Sequence, residues 1–200
     1  MTDIAPLRVF VQSLTAVLDR TEDQETVLEE GGRLLKELIS GDDWLPDCFA
    51  KPNPERYSQY LLHADPYGRF SVVSFVWGPG QTTPLHDHRV WGLIGILRGK
   101  EREERFTRSE GGGFRLEEEE VLGVGHVGPL RPGDADYHRV SNALDDAPSV
   151  SIHVYGANIG AVTRATYDIE TGEEKQFISG YSSDVVPICG ILRNDTNHDF

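Results

Sequence analysis

The chain has 200 residues, of which 38% are hydrophobic and 26% are charged, a composition typical of folded globular proteins. Its 33 acidic residues outnumber its 19 basic residues, which gives a formal net charge of -14. Because nucleic acid and anionic membranes would repel such a chain, we expect neither as a partner. An anionic substrate would need a local positive charge at its site.

The cysteines and the apolar residues carry no sign of export. The two cysteines, Cys48 and Cys189, lie too far apart to form a CxxC motif or a disulfide framework. The first residues lack the basic and then apolar pattern of a signal peptide, and no run of about 18 apolar residues predicts a membrane span. We therefore expect a cytoplasmic protein.

The first fifty residues have helical periodicity. Apolar residues recur every three or four positions over residues 7–18 and again over residues 27–39. Thr21 followed by Gln24 is typical of a helix start. We predict that residues 1–50 form a small helical cap on the rest of the chain.

The rest of the chain, from residue 57 to about residue 180, has the pattern of short strands. The segment 70–77 is rich in β-branched and aromatic side chains. Residues 93–97 and 102–108 resemble paired strands, 115–122 the returning strand of a hairpin, and 150–155 one more strand. Glycine and proline clusters separate them, as in β-sandwiches and barrels. The four glutamates at 117–120 are typical of a solvated edge strand. We predict a mainly β fold in which residues 1–200 form a single domain.

Three histidines are candidate ligands of one divalent metal. His86 and His88 alternate, and on a strand this spacing places two side chains on one face, about 6.6 Å apart. His138 follows a Pro-Gly turn, which would bring it to a neighbouring strand. Three neutral imidazoles suit Fe, Zn, Cu or Ni. The pattern therefore predicts a metal site and leaves the metal open.

The segments around these histidines resemble the two signature motifs of the cupin superfamily. The resemblance implies a cupin β-barrel, a jelly-roll-like double-stranded β-helix. One departure concerns the metal: the glutamate usually found four residues after the second histidine is replaced by Gly92. Three neutral ligands leave the full +2 charge on the ion and, in an octahedral site, three vacant positions. Such a site suits an anionic thiolate together with oxygen.

A three-histidine site without this glutamate resembles that of the thiol dioxygenases, the cysteine dioxygenase family. Ser151, His153 and Tyr155 alternate on one predicted strand and match a hydrogen-bonded trio that lies beside the iron in that family. The resemblance implies catalytic roles for these three residues, with Tyr155 orienting the substrate and oxygen. It also implies Fe(2+) as the cofactor, a small thiol carboxylate and O2 as substrates, and a sulfinic acid as the product.

Two positions predict which thiol is oxidised. The cysteine-specific enzymes carry a substrate-binding arginine in the segment where this chain has Gln59. The subgroup with glutamine there resembles 3-mercaptopropionate dioxygenase, in which a later arginine, matched here by Arg164, binds the carboxylate. A guanidinium binds a carboxylate through two parallel hydrogen bonds, so a shifted arginine selects a different acid. We predict 3-mercaptopropionate as the substrate, with L-cysteine as the alternative.

The residue at position 92 also bears on a covalent feature of the family. Animal-type cysteine dioxygenases carry a cysteine near the first metal strand that crosslinks to the tyrosine. Because Gly92 occupies that place, we predict no thioether at Tyr155.

Two other classes of protein remain open from the sequence. A zinc or manganese cupin, such as a sugar isomerase or a hydrolase, uses similar histidine motifs, although usually with the motif glutamate. A cupin that only binds or stores a small molecule is the second. Metal analysis together with oxygen uptake would separate both from a dioxygenase, and the sequence does not indicate the number of subunits.

Overall fold

Two α-helices and eleven β-strands form the part of the chain that the computed structural model describes, residues 2–133, 136–183 and 185–187. The helices are α1 (Ala5–Leu18) and α2 (Gln24–Leu38). The strands are β1 (Ser58–Ala64), β2 (Ser71–Trp77), β3 (Leu85–His86), β4 (Gly92–Arg98), β5 (Lys100–Arg108), β6 (Phe114–Gly123), β7 (Val127–Leu130), β8 (His138–Asn142), β9 (Ser149–Tyr155), β10 (Arg164–Tyr167) and β11 (Glu174–Phe177). No helix in these ranges is long and apolar enough to cross a membrane.

The second helix begins at a side-chain cap. The Asp23 carboxylate accepts hydrogen bonds from the backbone N–H of Thr26 at 2.9 Å and from the Thr26 hydroxyl at 2.6 Å. The predicted start at Thr21 is therefore wrong by two residues. The Thr21 hydroxyl instead accepts a hydrogen bond from the backbone N–H of Asp23, which fixes the turn that leads into the helix.

The strands form two antiparallel sheets. The five-stranded sheet has the order β1-β2-β9-β4-β7, and the six-stranded sheet has the order β11-β10-β3-β8-β5-β6. The acidic run at 117–120 lies on β6, at the edge of the six-stranded sheet, as predicted. Charged side chains on an edge strand oppose pairing with another chain.

The strand β9 shows how both faces of the five-stranded sheet are buried. Ile152 and Val154 belong to the core that the sheet shares with the helices. The alternate residues Ser151, His153 and Tyr155 are also buried, on the face that points toward the six-stranded sheet. The predicted fold class, a mainly β cupin barrel with an N-terminal helical cap, is confirmed.

A glycine lets the helical cap lie close to the barrel. A Cβ atom at Gly95 in β4 would lie 3.0 Å from Cδ1 of Ile39 and 3.1 Å from Cγ of Leu35. Leu35 has no exposed surface and belongs to the core between the helices and the five-stranded sheet. The cap and the sheet therefore share one packed interface.

Replacing Leu35 with alanine is expected to lower the free energy of unfolding by about 2–5 kcal/mol, because it removes buried methyl groups and leaves a cavity. Chemical denaturation measures the change. Val9 in α1 is 57% exposed, and Val9→Ala is the matched control, with an expected change within roughly 0.5 kcal/mol. An equally small effect of Leu35→Ala would show that the cap is not part of the same cooperative unit.

Candidate metal centre

A cavity of about 140 Å³ lies between the two sheets. The five-stranded sheet contributes aromatic side chains from β2 and β9, and the six-stranded sheet contributes histidines from β3 and β8. The cavity is smaller than the roughly 300–1,000 Å³ of sites for drug-sized ligands. Its size favours a ligand of few atoms.

Three histidines that line this cavity converge. His86, His88 and His138 are buried, and each offers one ring nitrogen such that these atoms lie within 4.8 Å of one another. His86 and His138 are directly paired across β3 and β8. The predicted turn before β8 thus delivers its histidine to the neighbouring strand, although Asp134 in that turn lies outside the described residues.

His88 does not lie on a strand, which corrects the prediction that both histidines of the first motif share one strand face. The strand β3 ends at His86. The backbone N–H groups of His88 and Arg89 donate to the Asp136 carboxylate, at 2.6 and 3.0 Å, and not to a neighbouring strand. Arg89 then turns the chain with a φ of 62°. The Asp136 carboxylate thus takes the place of the backbone acceptors of a neighbouring strand, and the His88 side chain still points toward the other two histidines.

Two buried carboxylates hold the histidine rings from outside. Nδ1 of His88 lies 2.7 Å from Asp136, and Nδ1 of His138 lies 2.7 Å from Glu103. Nδ1 of His86 lies 3.1 Å from the Pro84 carbonyl oxygen. With a proton on each Nδ1 to donate, the Nε2 lone pairs remain for a ligand.

The sequence reasoning missed both carboxylates. A usable signal exists for Glu103, since it lies on a strand of alternating exposed and buried residues, and an acid on the buried face needs a partner. Asp136 has no comparable signal, because it lies in the loop before β8.

The surroundings keep two of the imidazoles neutral. Burial, followed by repulsion from neighbouring histidines, lowers the pKa of His86 and His88 well below the usual 6.5. Burial opposes the ionisation of Glu103, but its hydrogen bond and charge interaction with His138, together with Arg105, outweigh burial and lower its pKa to about 2. Neutral imidazoles backed by carboxylates are the donor set of a first-row transition metal, so the residues fit a metal ion.

The predicted trio on β9 forms a hydrogen-bonded chain beside this cluster. The Ser151 hydroxyl lies 2.9 Å from Nε2 of His153, and Nδ1 of His153 lies 2.8 Å from the Tyr155 hydroxyl. The Tyr155 ring stacks on His88 with centroids 5.3 Å apart. Burial lowers the pKa of His153 to about 3 and raises the pKa of Tyr155, so the imidazole and the phenol are both neutral.

Arg164 and Gln59 line the same cavity. Arg164 is 4% exposed, its Nη2 donates to the Ser179 hydroxyl at 2.8 Å, and its guanidinium carbon lies 4.7 Å from the Phe177 ring centroid. Its Nε has no hydrogen-bond partner among the described residues. A buried cation with a donor to spare is suited to bind an anion.

Comparison with known proteins identifies the family. The family model described as cysteine dioxygenase type I matches residues 3–167. The chain belongs to this family. It is therefore a thiol dioxygenase, an oxidoreductase, as predicted.

Two curated relatives carry the same name. Cysteine dioxygenase type 1 of Danio rerio is 27% identical over 150 residues, 72% of this chain and 72% of the relative. Cysteine dioxygenase type 1 of Bos taurus is 25% identical over 138 residues, 68% of this chain and 67% of the relative. A solved structure from Klebsiella pneumoniae with a double-stranded β-helix domain is 18% identical, with a TM-score of 0.43 over 56% of this chain and 82% of that one.

Within this family, the position of Gly92 is informative. Gly92 pairs with Tyr155 across β4 and β9, and a Cβ there would lie 3.1 Å from the Tyr155 ring. A side chain at this position would thus touch the tyrosine. Cys48 is exposed, and Cys189 lies outside the described residues. The absence of a thioether stays a prediction.

The support of the cavity wall extends beyond the segment that matches the family. The main chain of Gln59 exchanges hydrogen bonds with Ser182, and Arg164 contacts Phe177 and Ser179. All three supporting residues follow residue 167, where the family match ends. Trp77 belongs to a buried hydrophobic cluster and also lines the cavity.

Proposed function

We propose that this chain oxidises a small carboxylated thiol with O2 to the sulfinic acid, using iron held by His86, His88 and His138. The observation that carries the proposal is the buried Arg164 guanidinium, which lines the same cavity as the three histidines. Both atoms of O2 go to sulfur, so the reaction consumes no other reductant.

The charge of Arg164 supports a carboxylate as a group that binds in the cavity. A buried cation is costly unless it is paired, and Arg164 has no acidic partner among the residues that the structure describes. Its neighbours are a serine hydroxyl and an aromatic ring, which position the guanidinium without neutralising it. A bound carboxylate would supply the missing charge through hydrogen bonds to Nε and a terminal nitrogen.

The other wall residues would orient the reacting groups. Bound iron would hold the thiolate and O2 together and supply the electron transfer between them. The hydroxyl of Tyr155, held by His153, would bind the polar part of the ligand. Phe75 and Trp77 form an apolar wall that keeps water away.

L-cysteine is the first candidate for the substrate. The family model and both curated relatives carry the name cysteine dioxygenase, and this favours the alternative of the sequence prediction over 3-mercaptopropionate. The cavity size suits an amino acid of this length.

3-Mercaptopropionate is the second candidate, favoured by the polarity of the cavity. No acidic side chain lines the cavity among the described residues, so the ammonium group of cysteine would find no carboxylate there. Gln59, in the place of the arginine of cysteine-specific enzymes, offers a neutral amide. A thiol acid without an amine needs no further partner.

Oxygen uptake by protein loaded with ferrous iron tests the function, with L-cysteine and 3-mercaptopropionate compared at several concentrations. We expect thiol-dependent uptake and, with ¹⁸O2, a sulfinate that contains two labelled oxygens. Zinc-loaded protein is the control and should take up none. Higher kcat/KM for 3-mercaptopropionate would make the second candidate the substrate, and uptake with neither thiol would contradict the proposed function.

A further inference from the structure

A buried acid lies behind the hydrogen-bonded chain on β9. Glu101 in β5 has no exposed surface. Neither of its carboxyl oxygens has a partner in full hydrogen-bond geometry among the described residues, yet the hydroxyls of Ser149 and Ser151 lie close enough to act on it. Buried polar groups without partners are rare, so this carboxyl is expected to have a function.

The hydrogen bonds around Ser151 explain how Glu101 connects to the cavity. Nε1 of Trp77 donates to the Ser151 oxygen at 3.3 Å, and the same oxygen lies 2.9 Å from Nε2 of His153. If Nε2 carries the proton of the imidazole, Ser151 accepts two hydrogen bonds and must donate its own proton elsewhere. The Glu101 carboxylate, which has no partner of its own and whose pKa Ser151 lowers, would accept this proton.

The series of side chains from Glu101 through Ser151 and His153 to Tyr155 would therefore have two complete hydrogen-bond patterns. With Glu101 ionised, Ser151 donates to Glu101, Nε2 of His153 donates to Ser151, and the Tyr155 hydroxyl donates to Nδ1, so the phenol oxygen can accept from a ligand. With Glu101 protonated, every hydrogen bond of the series runs in the opposite direction, and the Tyr155 hydroxyl donates into the cavity. The two patterns differ by one proton in total, and a change from one to the other moves one proton across each hydrogen bond of the series.

We propose that Glu101 is the inner end of a proton relay and sets whether Tyr155 accepts from or donates to the ligand in the cavity. In the accepting state, a thiol S–H bond breaks as the phenol oxygen takes the proton, and one proton passes at each link until Glu101 is protonated. Glu101 touches neither the ligand nor the metal ligands and is a positioning residue. The catalytic part of this inference rests on the proposed function.

The electrostatic surroundings suit this role. Burial and, to a smaller extent, the negative charge of Glu103 on the same strand raise the pKa of Glu101, while Ser151 and Ser149 lower it; together these effects place the pKa at about 8. The residues paired with Glu101 on the neighbouring strands, Leu122 and Asn142, carry no charge. As the pH rises through about 8, Glu101 loses its proton and the relay changes from the donating to the accepting pattern.

The direct test is the tautomer of His153, read from ¹⁵N NMR of the ring nitrogens in zinc-loaded protein. We expect the proton to lie on Nδ1 below about pH 7 and on Nε2 above about pH 9, a switch that follows from the pKa of Glu101. In Glu101→Gln, which keeps the size of the side chain but cannot ionise, the tautomer should not change with pH. Glu120→Gln, an exposed position on β6, is the matched control and should switch as the wild type does.

The second readout is the pH dependence of kcat in the iron-loaded enzyme. The wild type should show an inflection near pH 8 that Glu101→Gln lacks, while titration of the thiol itself affects both proteins equally. If Glu101→Gln fails to fold, Ser151→Ala breaks the relay from the other side and should also remove the tautomer switch. A His153 tautomer that does not change with pH in the active wild type overturns the inference. A tautomer that switches in a protein that oxidises no thiol supports the relay and contradicts only the proposed function.

Discussion

Replacing His86 with alanine is expected to abolish metal binding and thiol-dependent oxygen uptake. His86 is the cleanest of the three histidines to remove, since its Nδ1 contacts only a backbone carbonyl, whereas His88 and His138 contact buried carboxylates that would lose their partners. Removal of an outer hydrogen-bond partner alone lowers metal affinity by roughly 10–100-fold. Loss of the ligand itself is expected to exceed that range.

Metal content after loading and oxygen uptake at saturating thiol measure the effect of His86→Ala. The matched control is His126→Ala, a half-buried histidine that does not line the cavity. It should keep both metal and activity, and circular dichroism should show that both variants are folded. Full metal occupancy in His86→Ala would refute the assignment of this residue as a ligand.

Replacing Arg164 with alanine is expected to raise KM and to lower kcat/KM sharply. Truncation of one partner of a buried, hydrogen-bonded charge pair typically costs about 2–5 kcal/mol. This corresponds to roughly 30-fold to several-thousand-fold in kcat/KM. Arg164→Lys should recover part of the loss, because an ammonium keeps the charge but cannot offer two parallel donors.

A thiol without a carboxylate separates substrate binding from general damage to the cavity. With cysteamine, which has an amine and a thiol only, Arg164→Ala and the wild type should have similar, low activity. Arg98→Ala, which removes a surface ion pair with Asp42, is the control for loss of a positive charge and should change little. An equal fall with both thiols in Arg164→Ala would mean that Arg164 supports the cavity and does not bind the carboxylate.

The parts of the molecule that could be predicted from the sequence are those set by local spacing. An alternating pattern on one strand is enough to place Ser151, His153 and Tyr155 on one face, because successive strand residues point to opposite sides. Strand-like segments and the Gly/Pro clusters between them predicted the other strands, and a Pro-Gly pair predicted the turn before His138. The alternation rule was less accurate for His88, because the strand ends at His86, where the Asp136 carboxylate accepts the backbone hydrogen bonds of the next residues.

The features that tertiary structure alone decided are contacts between residues distant in sequence. Asp136 meets His88 across 48 residues, and Glu103 meets His138 across 35, so no local pattern could reveal either pair. The burial of Glu101 behind Ser151 likewise depends on which strands face each other.

Substrate preference also depends on contacts between residues that are distant in sequence. Gln59 and Arg164 were identified by their places in the sequence, but both are held by a segment beyond the family match. Local spacing thus determined the fold class and the candidate metal ligands of this thiol dioxygenase. The packing of the two sheets decided which charges are buried and left unpaired, because burial depends on every element that surrounds a side chain.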